Sequence, residues 1–204
     1  MRLRPLIEDI VNDVNLYPNV EINNISTNSC AIKKGSLFFA IKGSNHDGHD
    51  YISDAINNKV SAIIANKTLK NLPVPLIKVK DTRRVLSKIA SKFYKNPSEK
   101  LKIIGVTGTN GKTTTSSLIK SIFDSAGIDA AQLGTNGLIS KYNFQNCSLT
   151  TPDPIYLNKL ISMLVEKKVS YLVMEVSSHS IDQHRVTDIE FDTAIFTNLS
   201  QDHL

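Results

Sequence analysis

Short apolar runs separated by polar, turn-rich stretches occupy the first hundred residues of the chain. The runs of strand length predict strands over residues 36–41, 61–65 and 76–79. Helical spacing of apolar residues predicts helices over residues 1–14, 50–58 and 81–94. Asp81 stands at the beginning of the last of these, where an aspartate can cap the helix. The first part of the chain is therefore expected to be a small α/β unit.

A polar stretch over residues 95–100, which contains Pro97, is predicted to be a linker between two domains, 1–97 and 98–204. After it the pattern changes to longer units, with strands predicted over 102–107, 130–133, 171–176 and 193–197. Helices are predicted over 112–126, where Gly127 suits the C-terminal cap, and over 154–168, where Pro154 suits the first turn. This alternation predicts an α/β fold built on a parallel, helix-covered sheet.

Composition narrows the class of protein only a little. A hydrophobic content of 41% and a charged content of 21% are ordinary for a globular protein, and no apolar run is long enough to predict a membrane span. The net charge of +5 comes from scattered lysines, which argues against a nucleic-acid-binding stripe. Cys30 and Cys147 match no metal-ligand spacing and are interpreted as two free thiols of a cytoplasmic protein.

The strongest chemical signal is the glycine-rich stretch GVTGTNGKTTT over residues 105–115, which follows a predicted strand and opens a predicted helix. It is a variant of the phosphate-binding loop, because the strict spacing would place a glycine at Val106. Glycines let backbone amides approach phosphate oxygens, and the helix N-terminus favours negative charge. Lys112 would neutralise the β- and γ-phosphates, and the Thr113 hydroxyl would reach Mg²⁺. The loop predicts a nucleoside triphosphate site without specifying the reaction.

Further segments resemble the Mur ligase family, and within it the MurE type, which adds a diamino acid to UDP-N-acetylmuramoyl-L-alanyl-D-glutamate. The resemblance rests on GTNGKTTT at 108–115, TTPDP at 150–154, MEVSSHS at 174–180, QHRV at 183–186 and FTNLSQDHL at 196–204. KGSLFFA at 34–40 and the stretch 43–48 resemble the UDP-binding domain of the same enzymes. The family resemblance implies a small UDP-substrate-binding domain followed by an ATP-binding central domain.

The resemblance also implies roles for individual residues. ATP would contact Gly108, Thr109, Asn110, Gly111, Lys112, Thr113 and Thr114, with Lys112 as the catalytic cation. The UDP-linked substrate would contact Thr27, Ser29, Ser44, Asn45, His46, Thr150, Thr151, Ser177, Gln183 and Arg185. Magnesium would be held by Thr113, Glu175 and His203. A carboxylate at the carboxyl end of a strand and an arginine that can grip a carboxylate suit these roles chemically.

The implied reaction is an ATP-dependent ligation through an acyl phosphate, with ATP, UDP-N-acetylmuramoyl-dipeptide and a diamino acid as partners. The resemblance favours meso-diaminopimelate over L-lysine. Cys30 stands where relatives have an arginine, and Leu149 stands where some have an asparagine, so these contacts are expected to differ.

The chain stops at Asp202-His203-Leu204, inside a motif that continues in the family. We therefore expect a truncated central domain, no carboxy-terminal domain and little turnover by this chain alone. Two alternatives stay open: another ligase of the superfamily, of the MurF or folylpolyglutamate synthase type, or a non-catalytic remnant that binds nucleotide or UDP-substrate.

Overall fold

The computed structural model describes residues 1–142 and 149–200, and the chain divides into two compact units, Met1–Phe93 and Tyr94–Leu204. The boundary between these units lies a few residues before the domain boundary predicted from the sequence. Whether 1–97 and 98–204 are separate functional domains remains a prediction. Among the described residues, none of the helices is long and apolar enough to cross a membrane.

The first unit is built on a four-stranded parallel sheet whose strands follow one another in chain order. Its elements are α1 (Leu3–Ile7), β1 (Asn24–Ser26), β2 (Ser36–Phe39), α2 (Ile52–Asn57), β3 (Ala62–Ala65), β4 (Leu76–Lys78) and α3 (Thr82–Phe93). Every residue of β2 and β3 is buried, as expected for parallel strands covered on both faces. Asp81 accepts hydrogen bonds from the backbone amides of Arg83 and Arg84, which fixes the beginning of α3 as predicted.

The helix predicted over residues 1–14 is much shorter in the structure. Only Leu3–Ile7 is helical, because the chain folds back after it and the N-terminal residues pair with a later segment. The Leu3 amide donates to the Val20 carbonyl, and Ile22 exchanges backbone hydrogen bonds with Met1. The apolar residues Leu3, Leu6 and Ile7 are all buried by this short helix.

The second unit contains a five-stranded sheet in the order β7-β6-β8-β5-β9. Its elements are β5 (Lys102–Thr107), α4 (Lys112–Ser125), β6 (Ala130–Gly134), β7 (Gly137–Ile139), α5 (Pro154–Glu166), β8 (Tyr171–Glu175), α6 (Ser178–Asp182) and β9 (Thr193–Phe196). Four strands are parallel, while β7 runs antiparallel to β6 at one edge, an exception to the predicted parallel order. Leu133, Leu157, Leu172 and Met174 belong to the buried core of this unit.

The helix ends in the second unit agree with the sequence. Asp153 accepts hydrogen bonds from two amides in the first turn of α5, and Pro154 occupies that turn. Gly127 adopts a left-handed conformation just after α4. The parallel register places the ends of β5, β8 and β9 at one edge of the sheet, with Val106 beside Glu175 and Thr107 beside Phe196.

Part of the polar stretch over 95–100, predicted to be a linker, forms a packed turn. Residues Pro97–Lys100 form a 3₁₀ turn that packs against α5, and Pro97 and Ser98 are buried. The polar composition of this stretch could not reveal the burial of Pro97 and Ser98, because that burial results from tertiary packing. The short elements β1, β7 and α6 were likewise not predicted.

Candidate functional site

The glycine-rich loop connects β5 to α4 in two left-handed steps. Gly108 and Gly111 have φ values of 133° and 85°, which only glycine adopts without strain, and Gly111 immediately precedes the helix. The Lys112 ammonium folds back over the loop, donating to the carbonyls of Gly108 at 2.6 Å and Thr109 at 3.0 Å. The first-turn amides at Lys112, Thr113 and Thr114 have no intrahelical acceptor, as at any helix start. The loop therefore has the conformation and the cation that a phosphate group requires.

Residues 197 and 198, which follow β9, make hydrogen bonds to the glycine-rich loop. The Asn198 side-chain oxygen accepts a hydrogen bond from the Asn110 backbone amide at 3.0 Å. The Asn198 backbone carbonyl accepts one from the Thr109 amide, also at 3.0 Å. The Asn198 side-chain amide donates back to the Asn110 carbonyl at 3.1 Å. Thr197 adds a 2.6 Å hydrogen bond to the same carbonyl. A side chain on Gly108 would lie 2.1 Å from the Thr197 hydroxyl, so this close approach requires glycine.

Glu175 ends strand β8 beside the loop, and its side chain is fully buried. Its Oε2 atom accepts the Thr113 hydroxyl at 2.9 Å and the Thr135 hydroxyl at 3.2 Å. Its Oε1 atom accepts the Thr135 amide at 3.1 Å. Gly134 leaves the space for this carboxylate, since a Cβ there would lie 1.9 Å from Oε1. The structure thus joins two sequence-predicted residues, Thr113 and Glu175, in one hydrogen-bonded cluster.

A second group of predicted residues lies next to that cluster. Thr151 is buried, and its hydroxyl donates to the Glu175 carbonyl and accepts the Ser177 amide. The Arg185 guanidinium donates to the Thr151 carbonyl at 2.7 Å and makes two hydrogen bonds to the Gln183 side chain. Ser177 caps α6 by accepting the Ser180 amide. Thr150 lies 3.2 Å from Thr135, hydroxyl to hydroxyl. All five predicted substrate residues of this unit are accordingly brought together.

The predicted substrate residues of the first unit follow two neighbouring strands. Thr27 and Ser29 come after β1, where Thr27 is exposed and Ser29 is buried in a 3₁₀ turn. Ser44, Asn45 and His46 lie exposed in a tight turn after β2, closed by a hydrogen bond from the Gly43 amide to the His46 carbonyl. Because parallel strands end at the same edge, both groups occupy the carboxyl edge of the sheet, where ligands bind in α/β folds.

Asp47 anchors this turn. Its carboxylate accepts the Lys67 ammonium at 2.8 Å and both the amide and the ring nitrogen of His49. The hydrogen bond from Lys67, followed by those from His49, holds the pKa of the Asp47 carboxyl far below its usual range. Arg83 supports the other side of the turn by donating to the Lys42 carbonyl. Sequence reasoning did not single out Asp47, although an aspartate ahead of Gly48 is a recognisable 3₁₀-turn cap.

A magnesium ion would fit the oxygen groups of Thr113 and Glu175, because a buried carboxylate beside a hydroxyl is the kind of donor pair that Mg²⁺ prefers. Over residues 1–142 and 149–200, no group of three or more His, Cys, Asp or Glu side chains is placed to hold a metal. His203, the third predicted ligand, lies outside the described residues, as does Cys147.

Sequence reasoning missed the residues that support the site from other strands. Gly134 and Thr135 touch the predicted residues but belong to none of the motifs, whereas Asn198 lies within the motif at 196–204 but was assigned no role. The signal that could have found the first two is Gly134-Thr135 directly after an apolar strand, the same position relative to the sheet as Glu175.

Comparison with known proteins assigns this fold and site to a class. The profile of the Mur ligase family catalytic domain matches residues 21–94, and that of the Mur ligase middle domain matches residues 106–204. The two matches include most of the chain and all of its candidate site residues. The chain belongs to the Mur ligase family.

Within the family, the chain is similar to proteins named UDP-N-acetylmuramoyl-L-alanyl-D-glutamate–2,6-diaminopimelate ligase. It is 40% identical to the protein of this name from Caldanaerobacter subterraneus subsp. tengcongensis over the whole chain, which covers 42% of that protein. It is 42% identical to the one from Clostridium tetani, covering the whole chain and 43% of that protein. The chain thus spans less than half the length of these relatives.

Solved structures agree on the fold. A structure of UDP-N-acetylmuramoyl-L-alanyl-D-glutamate–2,6-diaminopimelate ligase superposes with a TM-score of 0.82 at 24% identity, over the whole chain and 41% of that protein. A MurF structure from Acinetobacter baumannii superposes with a TM-score of 0.59 at 26% identity, over 92% of this chain and 37% of that one. The α/β architecture predicted from the sequence is confirmed.

Proposed function

We propose that this chain carries the UDP-substrate and ATP sites of a ligase that joins a 2,6-diamino acid, meso-diaminopimelate, to UDP-N-acetylmuramoyl-L-alanyl-D-glutamate. The observation that carries the proposal is the single cluster in which the glycine-rich loop, Thr113 and Glu175 meet the Thr150–Thr151 pair. The names of the relatives supply the substrate class. Its place of action would be the cytoplasm, where ATP is available.

The nucleotide end of the site would act through charge. ATP phosphates would lie against the helix α4 N-terminus, and Lys112 would exchange its two loop carbonyls for phosphate oxygens. A fixed ammonium group there offsets the negative charge that develops as the γ-phosphoryl group is transferred. Thr113 and Glu175 would hold Mg²⁺, which neutralises phosphate charge when bound.

The acceptor end would act by position. Hydroxyl groups of Thr150 and Ser177 and the Gln183 amide suit hydrogen bonds to peptide and sugar groups. The Thr151 hydroxyl, which is buried and bonded to Glu175 and Ser177, would position its neighbours. Arg185, already oriented by Gln183, suits the acceptor's carboxylate. Thr27, Ser29, Ser44, Asn45 and His46 would contact the UDP-linked end in the first unit.

The reaction needs no nucleophile from the protein. A carboxylate oxygen of the acceptor's D-glutamate attacks the γ-phosphorus, so that ADP leaves and an acyl phosphate forms. The amine of the diamino acid then attacks the acyl carbon, loses a proton and expels inorganic phosphate. The residues described here would bind and orient ATP and the acceptor.

Calorimetric titration of the 204-residue chain with ATP and Mg²⁺, and separately with UDP-N-acetylmuramoyl-L-alanyl-D-glutamate, tests this proposal. We expect both ligands to bind, and we expect Lys112→Ala to weaken ATP binding by about 10- to 100-fold because a charge-assisted contact is lost. Lys120→Ala is the matched control, since Lys120 lies on the same helix but pairs with Asp124. Equal ATP affinity in the two variants, or no binding of the UDP-linked ligand, would contradict the proposal.

A further inference from the structure

We propose that Thr135 is a positioning residue that holds the Glu175 carboxylate in place for the nucleotide-bound cation and links it to the acceptor threonines. This inference rests on the proposed function, because it gives Glu175 a partner within the same site. Thr135 lies just after β6 and belongs to none of the residues that the family resemblance assigns to ATP, metal or substrate.

Glu175 needs such a partner because a buried carboxylate depends on hydrogen-bond donors from the protein. Its side chain is fully buried, so water cannot satisfy both carboxylate oxygens as it does at a surface. Within residues 1–142 and 149–200, three hydrogen bonds reach the two oxygens, and Thr135 supplies two of them, one to each oxygen. A carboxylate gripped at both oxygens by one residue cannot rotate without breaking a hydrogen bond.

The strand register makes this grip possible. Strands β6 and β8 are paired in parallel with Leu133 opposite Met174, so that Gly134 and Glu175, the last residues of the two strands, lie side by side. Because Gly134 has no side chain, the Glu175 carboxylate can lie against its backbone. The amide and the hydroxyl of the next residue, Thr135, are then within hydrogen-bond distance of the carboxylate. The Gly134-Thr135 pair is therefore shaped around the carboxylate.

The third hydrogen bond comes from Thr113, whose hydroxyl has another task in the proposed function. A hydroxyl oxygen contributes to a cation site through a lone pair, so the Thr113 hydroxyl would be shared between the cation and Glu175. Thr135 has no such task and keeps the carboxylate fixed through both of its bonds. Outer contacts of this kind orient metal-binding carboxylates and tune their affinity.

The Thr135 hydroxyl also contacts a threonine that is predicted to bind the acceptor substrate. Thr135 Oγ1 lies 3.2 Å from Thr150 Oγ1, and a hydroxyl has only one proton to donate. The carboxylate is the stronger acceptor, so Thr135 donates to Glu175 and accepts from Thr150. The chain of hydrogen bonds Thr150–Thr135–Glu175–Thr113 thus connects the predicted acceptor residues to the phosphate-binding helix.

The decisive measurement is the affinity of the 204-residue chain for ADP by calorimetry, in magnesium and in EDTA, for the unmodified chain and three variants. Thr135→Val removes the hydroxyl and keeps shape and amide, Thr135→Ser restores the hydroxyl, and Thr193→Val is the matched control on the exposed strand β9. We expect Thr135→Val to lower the affinity gain from magnesium by about tenfold, with the EDTA affinity changed less than about twofold. Thr135→Ser and Thr193→Val should keep the full gain, and an unchanged gain in Thr135→Val would overturn the proposal.

Crystal structures of the ligand-free chain, of Thr135→Val and of Thr135→Ser separate this inference from the proposed function. We expect the Glu175 carboxylate to turn away from its present position in Thr135→Val and to keep it in Thr135→Ser. If the unmodified chain shows no magnesium-dependent binding of ADP, the proposed function fails, and the crystallographic comparison then decides the positioning role by itself. A carboxylate that superposes in all three structures refutes that role. Should Thr135→Val not fold, as judged by its thermal unfolding, Thr135→Ala replaces it in both experiments.

Discussion

The two sheets differ in how they hold the side chains predicted to bind ligands. In the second unit those residues contact one another: Thr113 and Glu175 share a hydrogen bond, and Thr151 contacts both Glu175 and Arg185. In the first unit Ser44, Asn45 and His46 lie exposed on a turn. The turn is held by the neighbouring residues Asp47 and Arg83.

This difference follows from burial. A buried carboxylate such as Glu175 has to be surrounded by donors, so the residues around it are fixed by the fold before any ligand binds. An exposed turn can be satisfied by water, and its shape depends on a few anchors such as Asp47. Substitutions should therefore damage the second unit through crowding and lost hydrogen bonds, and the first unit through lost anchoring.

The largest effect is expected for Gly108→Ala in the second unit. The added methyl group would meet the Thr197 hydroxyl and the Asn198 carbonyl, pushing the loop away from the segment that holds it. Gly127→Ala is the control for a positive φ, because Gly127 has a φ of 70° against 133° at Gly108 and nothing within 4 Å of the added atom. We expect Gly108→Ala to lower the free energy of unfolding by about 1–3 kcal/mol more than Gly127→Ala, measured by urea denaturation. Equal losses would show that backbone conformation, rather than the close approach, makes Gly108 necessary.

An intermediate effect is expected for Asp47→Asn in the first unit. The amide cannot pair with Lys67 as a carboxylate does, so the turn that carries Ser44, Asn45 and His46 loses its main anchor. Binding of UDP-N-acetylmuramoyl-L-alanyl-D-glutamate, measured by calorimetry, should weaken about three- to tenfold, the cost of a modest hydrogen bond. Asp54→Asn on the exposed side of α2 is the control and should bind normally. If Asp47→Asn binds as tightly as the unmodified chain, the turn does not depend on this anchor.

The smallest effect is expected at the end of β5 and β9 away from the candidate site. Hydrogen bonds from the Lys102 side chain and then from the Ile103 amide lower the pKa of the Asp192 carboxyl below its ordinary value of 3.8. A carboxyl whose pKa is lowered on folding stabilises the folded state above the unfolded pKa, and this stabilisation is lost as the pH falls through the folded pKa. Asp192→Asn should therefore lower Tm slightly near neutral pH, and the difference should vanish in acid below the folded pKa. Thermal unfolding as a function of pH measures it, and a difference that does not change with pH would rule out the charged pair as its source.

Much of the fold was predictable because its elements are marked locally. Strand β5 and the beginning of α4 were placed to the residue, since an apolar run meets a glycine-rich turn there. Strands β1 and β7 were missed because they are defined by their pairing partners and not by an apolar run of their own. The helix predicted over 1–14 was too long, because pairing with residues 20–22 is not visible in an apolar period.

The candidate site divides in the same way. Lys112, Thr113 and Glu175 could be found from the sequence because each stands in a motif at the end of a strand or the start of a helix. Asn198 could not be assigned its contacts with the loop, which join residues 88 positions apart in the chain. No local pattern records such a contact, since it depends on β9 lying beside β5.

The sequence by itself determined the alternation of strands and helices, the phosphate-binding loop, the caps of α3 and α4, and membership of the Mur ligase family, because these depend on near neighbours in the chain or on whole motifs. Only the tertiary structure decided that Thr135 meets Glu175, that Gly134 must lack a side chain, and that Pro97 is buried. The physical reason is that parallel strands bring together residues that are distant in the chain, and the register of hydrogen bonds between strands fixes which side chains then touch.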